Sequence, residues 1–206
     1  MITQAKVKIC GMRNAENIRE VEALGIDLMG FIFWPKSSRY VSERPAYLPQ
    51  KAKHVGVFVN EDIEQVKHIA EEFSLDFIQL HGSESPEYAQ QLRDWKVIKA
   101  FNIATAADLE ATKPYEGIVD YFLFDTKGKS VGGNGEKFDW SVLVNYVGKT
   151  AFLLSGGIDP DDAERVKAFN HPKCIGIDLN SKFEISPALK DVAALRRFLR
   201  ALKINQ

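Results

Sequence analysis

Four chemically distinct side chains stand at or just beyond the ends of short apolar runs. They are the thiol of Cys10, the guanidinium of Arg39, the imidazole of His81 and the carboxylate of Asp125. A fifth, Asp178, ends the last such run, and Asn180 and Ser181 follow it. These are the types that move protons and hold anions. Singly, each has an ordinary reading. Cys10 reads as a small buried hydrophobe, Asp125 as a loop or helix-capping carboxylate, Arg39 as a solvated surface charge and His81 as a hydrogen-bonded structural histidine. On one rim together, they are harder to explain as packing. Ser155-Gly156-Gly157-Ile158 is a second signal. Two glycines at the end of an apolar run let backbone approach a phosphate closely, with nearby N–H groups pointed at it. The competing reading is a plain glycine turn ahead of a helix cap at Asp159.

The apolar runs are the elements that must position these groups. They are residues 7–10, 28–33, 55–59, 77–80, 97–101, 121–124, 151–154 and 174–177. Continuous runs rich in β-branched and aromatic residues suggest strands buried on both faces, as in parallel sheets. Helix signals lie between them. Ile18, Val21 and Leu24 form a stripe that Gly25 stops, and Ile63, Val66, Ala70 and Phe73 form another with Asn60 or Asp62 as cap. Ser85-Pro86-Glu87 and Asp159-Pro160-Asp161-Asp162 read as a cap, a proline in the first turn and acids behind it. Leu195, Phe198, Leu199 and Leu202 form a final amphipathic helix. This alternation predicts a (β/α)8 TIM barrel, one domain over residues 1–206, with an open doubly wound sheet as the alternative. The 206 residues allow about 26 per unit, near the low end for that barrel. In such a barrel, catalysis sits at the C-terminal strand ends. Phosphate sits after strands seven and eight, often beside a short extra helix, which Ser186-Pro187 is placed to cap. The glycine-rich stretch from Thr126 to Lys137 is the longest irregular segment.

Composition removes several classes. Lys plus Arg is 27 against 28 for Asp plus Glu, so the basic excess of a nucleic-acid binder is missing. No apolar run approaches the roughly 18 residues that cross a bilayer. Residues 1–6 lack the apolar core of a signal peptide, which predicts a cytoplasmic protein. Two cysteines cannot build a disulfide scaffold. The four histidines have no metal-ligand spacing, so no metal is expected. No GxGxxG follows the first run, so a dinucleotide has little support.

In order along the chain come Lys8-Ile9-Cys10-Gly11, Gly30-Phe31-Ile32-Phe33 with Ser38-Arg39-Tyr40-Val41, Val57-Phe58-Val59-Asn60 and Gln79-Leu80-His81-Gly82. Then come Phe124-Asp125-Thr126, Gly132-Gly133-Asn134-Gly135, Phe138-Asp139-Trp140, Ser155-Gly156-Gly157-Ile158 and Asp178-Leu179-Asn180-Ser181 with Glu184. Together they resemble the phosphoribosylanthranilate isomerase family of tryptophan biosynthesis, over nearly the whole chain. The resemblance implies a cofactor-free barrel. Its reaction converts N-(5'-phosphoribosyl)anthranilate to 1-(o-carboxyphenylamino)-1-deoxyribulose 5-phosphate by an Amadori rearrangement. It implies Cys10 as general base and Asp125 as general acid. It places Arg39 on the anthranilate carboxylate, Gly156, Gly157, Asn180 and Ser181 around the phosphate, and Asp178 and His81 at the substrate. Lys8, two residues from Cys10 and on the same side of its strand, is expected to lower the thiol's pKa. Phe33 and Trp34 are placed to flank the aromatic ring, with core packing an equal reading for Phe33, and the Gly132–Gly135 loop is expected over the site. The expected partner is a small phosphorylated aminosugar, and the chain is expected to act as a monomer or homodimer. The chain departs from the family pattern at Ser38, usually proline, and at Lys182 and Ala188, usually glycine. Competing readings are another phosphosugar enzyme, such as an indole-glycerol-phosphate synthase, and a non-catalytic phosphate-ligand sensor on the same scaffold.

Overall fold

The computed structural model describes residues 6–126 and 140–202. Eight parallel strands close into a barrel in sequence order. They are β1 (Lys6–Ile9), β2 (Leu28–Ile32), β3 (Lys53–Phe58), β4 (Phe77–Leu80), β5 (Lys96–Ile103), β6 (Tyr121–Thr126), β7 (Ala151–Ser155) and β8 (Cys174–Leu179). Every expected run is a strand, and the open sheet is ruled out by the pairing of β1 with β8, Lys6 opposite Gly176 through Ile9 opposite Leu179. Leu28, Val55, Phe77, Ile98, Ala100, Leu123 and Leu153 fill the barrel interior. A larger core packs between the barrel and its outer layer.

The outer layer is only partly α-helical. It contains α1 (Ala15–Glu22), α2 (Ile63–Glu72), α3 (Pro86–Gln90), α4 (Ala163–Ala168) and α5 (Val192–Leu202). Residues 106–115 and 140–145 are 3₁₀ turns. The segment between β2 and β3 carries Pro35, Pro45 and Pro49 and forms no helix. It is pinned instead by the Glu22 carboxylate, which accepts the N–H groups of Gln50, Lys51 and Ala52 and the hydroxyl of Tyr47. Asp62 caps α2, and Ser85 caps α3 with Pro86 behind it, as their sequence signals imply.

Two local expectations are corrected. Asp159 and Pro160 do not open a helix. They form a turn in which the N–H of Asp162 donates to the Asp159 carbonyl and the Asp162 carboxylate accepts the N–H of Asp159, and α4 begins only at Ala163. Ser186-Pro187 caps no helix. It sits at the bend of a two-stranded hairpin, β9 (Glu184–Ser186) and β10 (Leu189–Lys190), whose turn places Ala188 at φ 66°. Leu189 and Lys190 cross-pair with Ser186 and Glu184, and this pairing overrides the capping signal.

The strand starts are tied down by a repeated device. Asp27, Asp76 and Asp120 each precede an even-numbered strand. Each accepts the N–H of a residue on the preceding strand, Val7, His54 and Val97, at 2.8–2.9 Å. Lys173 stands in the fourth such place, and there Phe152 N–H donates to its backbone carbonyl. This end of the barrel fixes register and leaves the opposite rim to carry chemistry. Among the described residues, no helix is long and apolar enough to cross a membrane.

Candidate active site

At the C-terminal strand ends lies a cleft of about 160 Å³. It is lined by Cys10, Gln79, His81, Asp125, Gly156, Gly157, Asp178, Asn180, Ser181 and Lys182. The rim therefore brings together every expected site residue except Arg39, which stands beside Gly11 and Asn180: a Cβ built on Gly11 would lie 2.7 Å from Arg39 Cδ and 2.8 Å from Asn180 Oδ1. A larger cavity, about 850 Å³, opens where the strands begin. Its lining includes Asp27, Asp76 and Asp120, already committed to the strand clamps, and no cysteine or histidine.

Cys10 follows β1 and is 4% exposed. Its N–H donates to the Leu179 carbonyl, which joins the thiol's backbone to the last strand. Opposite, β2 presents Gly30. A Cβ there would lie 2.8 Å from the thiol sulfur, so the absent side chain is the space the thiol occupies. Lys8, fully buried, points to the same side as Cys10. Its ammonium lies 2.8 Å from Asp178 Oδ1, and Ser155 Oγ donates to the other carboxylate oxygen at 3.2 Å. Burial works against the Lys8 charge, but Asp178 and Cys10 outweigh it and hold the lysine above its ordinary value. For the thiol, the expected effect of Lys8 is present but does not set the net direction. Lys8 does pull Cys10 downward, but desolvation is larger, and the net effect raises the thiol.

Across the cleft stands Asp125 at the end of β6. His81, after β4, faces it with Nε2 3.7 Å from Asp125 Oδ2. The Gln79 amide nitrogen lies 2.9 Å from His81 Nδ1. Gln79 Oε1 is buried without a hydrogen-bond partner in this structure. Gln79 was visible in the sequence only as part of the Gln79–Gly82 motif. The loops that carry His81 are anchored beneath it by Glu84 and Lys99. The Glu84 carboxylate accepts the N–H groups of Asn60 and Gly82, and buried Lys99 donates to Glu84 and to the Gly82 carbonyl.

After β7, Gly156 and Gly157 take φ values of 91° and 64°, open to glycine and costly for other residues. A Cβ at Gly157 would meet nothing within 4 Å, so its backbone faces open space. Asn180 and Ser181 follow β8, and Ser181 opens a single 3₁₀ turn. Of the two positions where the family pattern has glycine, Lys182 needs no left-handed backbone, whereas Ala188 occupies one. Of its two readings, Phe33 takes the core one: its ring stacks on Phe58 at 5.2 Å and meets Phe73 edge-on at 4.7 Å. Trp34 is partly exposed. The Gly132–Gly135 loop lies outside the described residues.

Arg39 is already engaged. Its Nε and Nη2 both donate to the Glu184 carboxylate, at 2.8 and 2.6 Å. Glu184 in turn accepts from Lys190 Nζ at 2.7 Å, and Lys190 also donates to Asn180 Oδ1 at 2.8 Å. Arg39 and Lys190 hold the Glu184 carboxyl below the ordinary range against its burial. Lys190 was not singled out from sequence, because its neighbours come from a cross-strand pairing and not from a motif. Among the described residues, no cluster of three His, Cys, Asp or Glu side chains is arranged to hold a metal.

A thiol, a carboxylate and a positive-φ glycine turn thus line one cleft, with a half-buried guanidinium beside it. The family model for N-(5'-phosphoribosyl)anthranilate isomerase matches residues 7–201. The N-(5'-phosphoribosyl)anthranilate isomerase of Phocaeicola vulgatus is 52% identical over 96% of this chain and 97% of its own. The crystal structure of phosphoribosyl anthranilate isomerase from Thermotoga maritima superposes with a TM-score of 0.83 at 32% identity, covering 97% of this chain and 98% of that one. A crystal structure of such an isomerase in complex with reduced 1-(o-carboxyphenylamino)-1-deoxyribulose 5-phosphate gives 0.82 at 31% identity, with the same coverage. The chain belongs to the N-(5'-phosphoribosyl)anthranilate isomerase family and is an isomerase of tryptophan biosynthesis.

Proposed function

We propose that Cys10 is the general base and Asp125 the general acid of this isomerisation. Asp125 delivers a proton to the ribose ring oxygen. The ring opens as the nitrogen lone pair forms the C1'–N double bond. The Cys10 thiolate then removes the C2' proton, and the freed electron pair neutralises the iminium to give an enolamine that tautomerises to the ketose. Every bond change is internal to the substrate, so an acid and a base suffice. The observation that carries this reading is that Cys10 and Asp125, from β1 and β6, line one cleft with Gly156 and Gly157. The ligand in the related crystal structure bears a phosphate and an aromatic carboxylate. On this chain, Gly156, Gly157, Asn180 and Ser181 are assigned to the phosphate and Arg39 to the carboxylate, which a guanidinium holds bidentately. Asp178 and His81 are assigned to the sugar and aminobenzoate between them. Cys10→Ala and Asp125→Ala, assayed separately by product fluorescence, are each expected to lose roughly 10²–10⁴-fold in kcat. Near-native turnover in either variant overturns that residue's role.

A further inference from the structure

We infer that the β9–β10 hairpin is a positioning device that sets the two anion-binding ends of the site relative to each other, through Glu184 and Lys190. The inference rests on the reading above, in which Arg39 takes the substrate carboxylate and Asn180 belongs to the phosphate loop.

Glu184 and Lys190 are register partners across the hairpin. Both side chains are buried, Lys190 completely. The Glu184 carboxylate is saturated by this chain's own donors. Arg39 takes both oxygens, Lys190 takes Oε1, and the N–H of Ala188 adds a bond of 3.2 Å to the same oxygen. That last bond depends on the left-handed backbone at Ala188. Lys190 is clamped at its backbone as well: its N–H donates to Asn17 Oδ1 and its carbonyl accepts from Asn17 Nδ2, so α1 fixes the base of the side chain. Its ammonium then divides between Glu184 and Asn180.

A surface pair would leave Arg39 free among several rotamers, and binding would have to order it. Here the edge formed by Nε and Nη2 is spent on Glu184, and the rest of the fork is held for a ligand. Arg39 is the shorter path in this network, one bond from Glu184 alone. Lys190 is common to both ends, since it touches Glu184 on one side and Asn180 on the other. A buried acid that restrains a cation is a positioning residue, because it meets the substrate only through that cation.

The test uses two substrates, the natural one and the phosphoribosyl adduct of aniline, which lacks the carboxylate. Glu184→Gln is expected to raise KM for the natural substrate roughly 10- to 100-fold, the cost of a hydrogen-bonded charged contact. It is expected to leave kcat nearly unchanged, because the lost contact serves binding and not the reacting carbons. It should leave KM for the aniline adduct within about twofold. On an Arg39→Ala background, adding Glu184→Gln should cost the natural substrate no more than about threefold. Lys190→Met, by contrast, should raise KM for both substrates, since both carry the phosphate. A Glu184→Gln penalty that is equal for the two substrates, or undiminished when Arg39 is already alanine, overturns the inference. So does a Lys190→Met that spares the aniline adduct. A misfolded variant would lose both substrates together in kcat and is recognised by its thermal unfolding. If Arg39→Ala alone leaves the natural KM unchanged, the assignment of Arg39 to the carboxylate fails first, and the role of Glu184 fails with it.

Discussion

Asp178→Asn is expected to destabilise the barrel by about 3–5 kcal/mol at pH 7, the cost of leaving one partner of a buried ion pair uncompensated. Lys8 is fully buried, and its one carboxylate partner lies 2.8 Å away. Asparagine keeps the shape and an acceptor oxygen but removes the larger of the two charges that together outweigh Lys8's desolvation. The lysine then escapes the penalty by losing its proton. Discharging a lysine at pH 7, from a free value of about 10.4, costs about 4.6 kcal/mol, within that range. The sign with pH follows. In the native protein Lys8 is held above its ordinary value, so its contribution is complete through neutral and moderately alkaline pH and is lost only as pH rises through that raised value. In the variant its folded pKa falls below the unfolded one, so the unfolded chain binds more protons and stability climbs with pH, by up to about 1.4 kcal/mol per pH unit. Urea unfolding of both proteins at pH 7, 8, 9 and 10 measures this. The difference between them should be largest at pH 7 and shrink toward pH 10. A difference below about 1 kcal/mol, or one that stays constant across that range, refutes the claim that Asp178 keeps a buried Lys8 charged.

Burial holds the Cys10 thiol above its ordinary value, so kcat/KM should keep rising with pH past about 8.5. Lys8→Met should move that rising limb to higher pH and lower activity at pH 7 at least about tenfold, as read from pH–rate profiles. Asp120→Ala removes the carboxylate that accepts the Val97 N–H and should cost about 1–2 kcal/mol in urea unfolding while leaving KM unchanged, since it lies at the far end of the barrel. Ser74, exposed at φ 49°, closes α2 in a Schellman turn, with Leu75 N–H donating to the Ala70 carbonyl and Ser74 N–H to that of Glu71. Ser74→Gly should therefore stabilise the protein by about 0.5–1 kcal/mol, visible as a higher Tm.

The strands were legible because a parallel strand covered on both faces leaves an uninterrupted apolar run, and the run at Phe77–Leu80 matches β4 residue for residue. The ends of those runs then located the rim, and with it Cys10, Asp125 and the two glycines. What sequence left hidden depends on distant partners. The rule that alternate residues share a face paired Lys8 with Cys10 correctly, but the thiol's acidity follows from how completely it is buried, which only the closed barrel decides. The hairpin escaped because three- and two-residue strands carry no period, and Ser186-Pro187 looks locally like a helix start. By itself in the sequence, Arg39 reads as a solvated surface charge. Its bond to Glu184 crosses 145 positions of chain and leaves no local trace.

The ion pair of Lys8 and Asp178 also bears on the order in which the molecule forms. The aspartate clamps at the strand starts join residues 20, 22 and 23 positions apart, so those strand pairs can zip early at small loop-closure entropy. The bond between Lys8 and Asp178 spans 170 positions and lies on the seam where the first strand meets the last. Until that seam closes, Lys8 has no carboxylate to accompany it out of water, and an open barrel keeps it solvated. Sealing the barrel and assembling the surroundings of the Cys10 thiol are then one event of high contact order. Refolding monitored by recovered activity should lag behind secondary-structure formation, and a chain that stops short of β8 should gain strands without gaining catalysis.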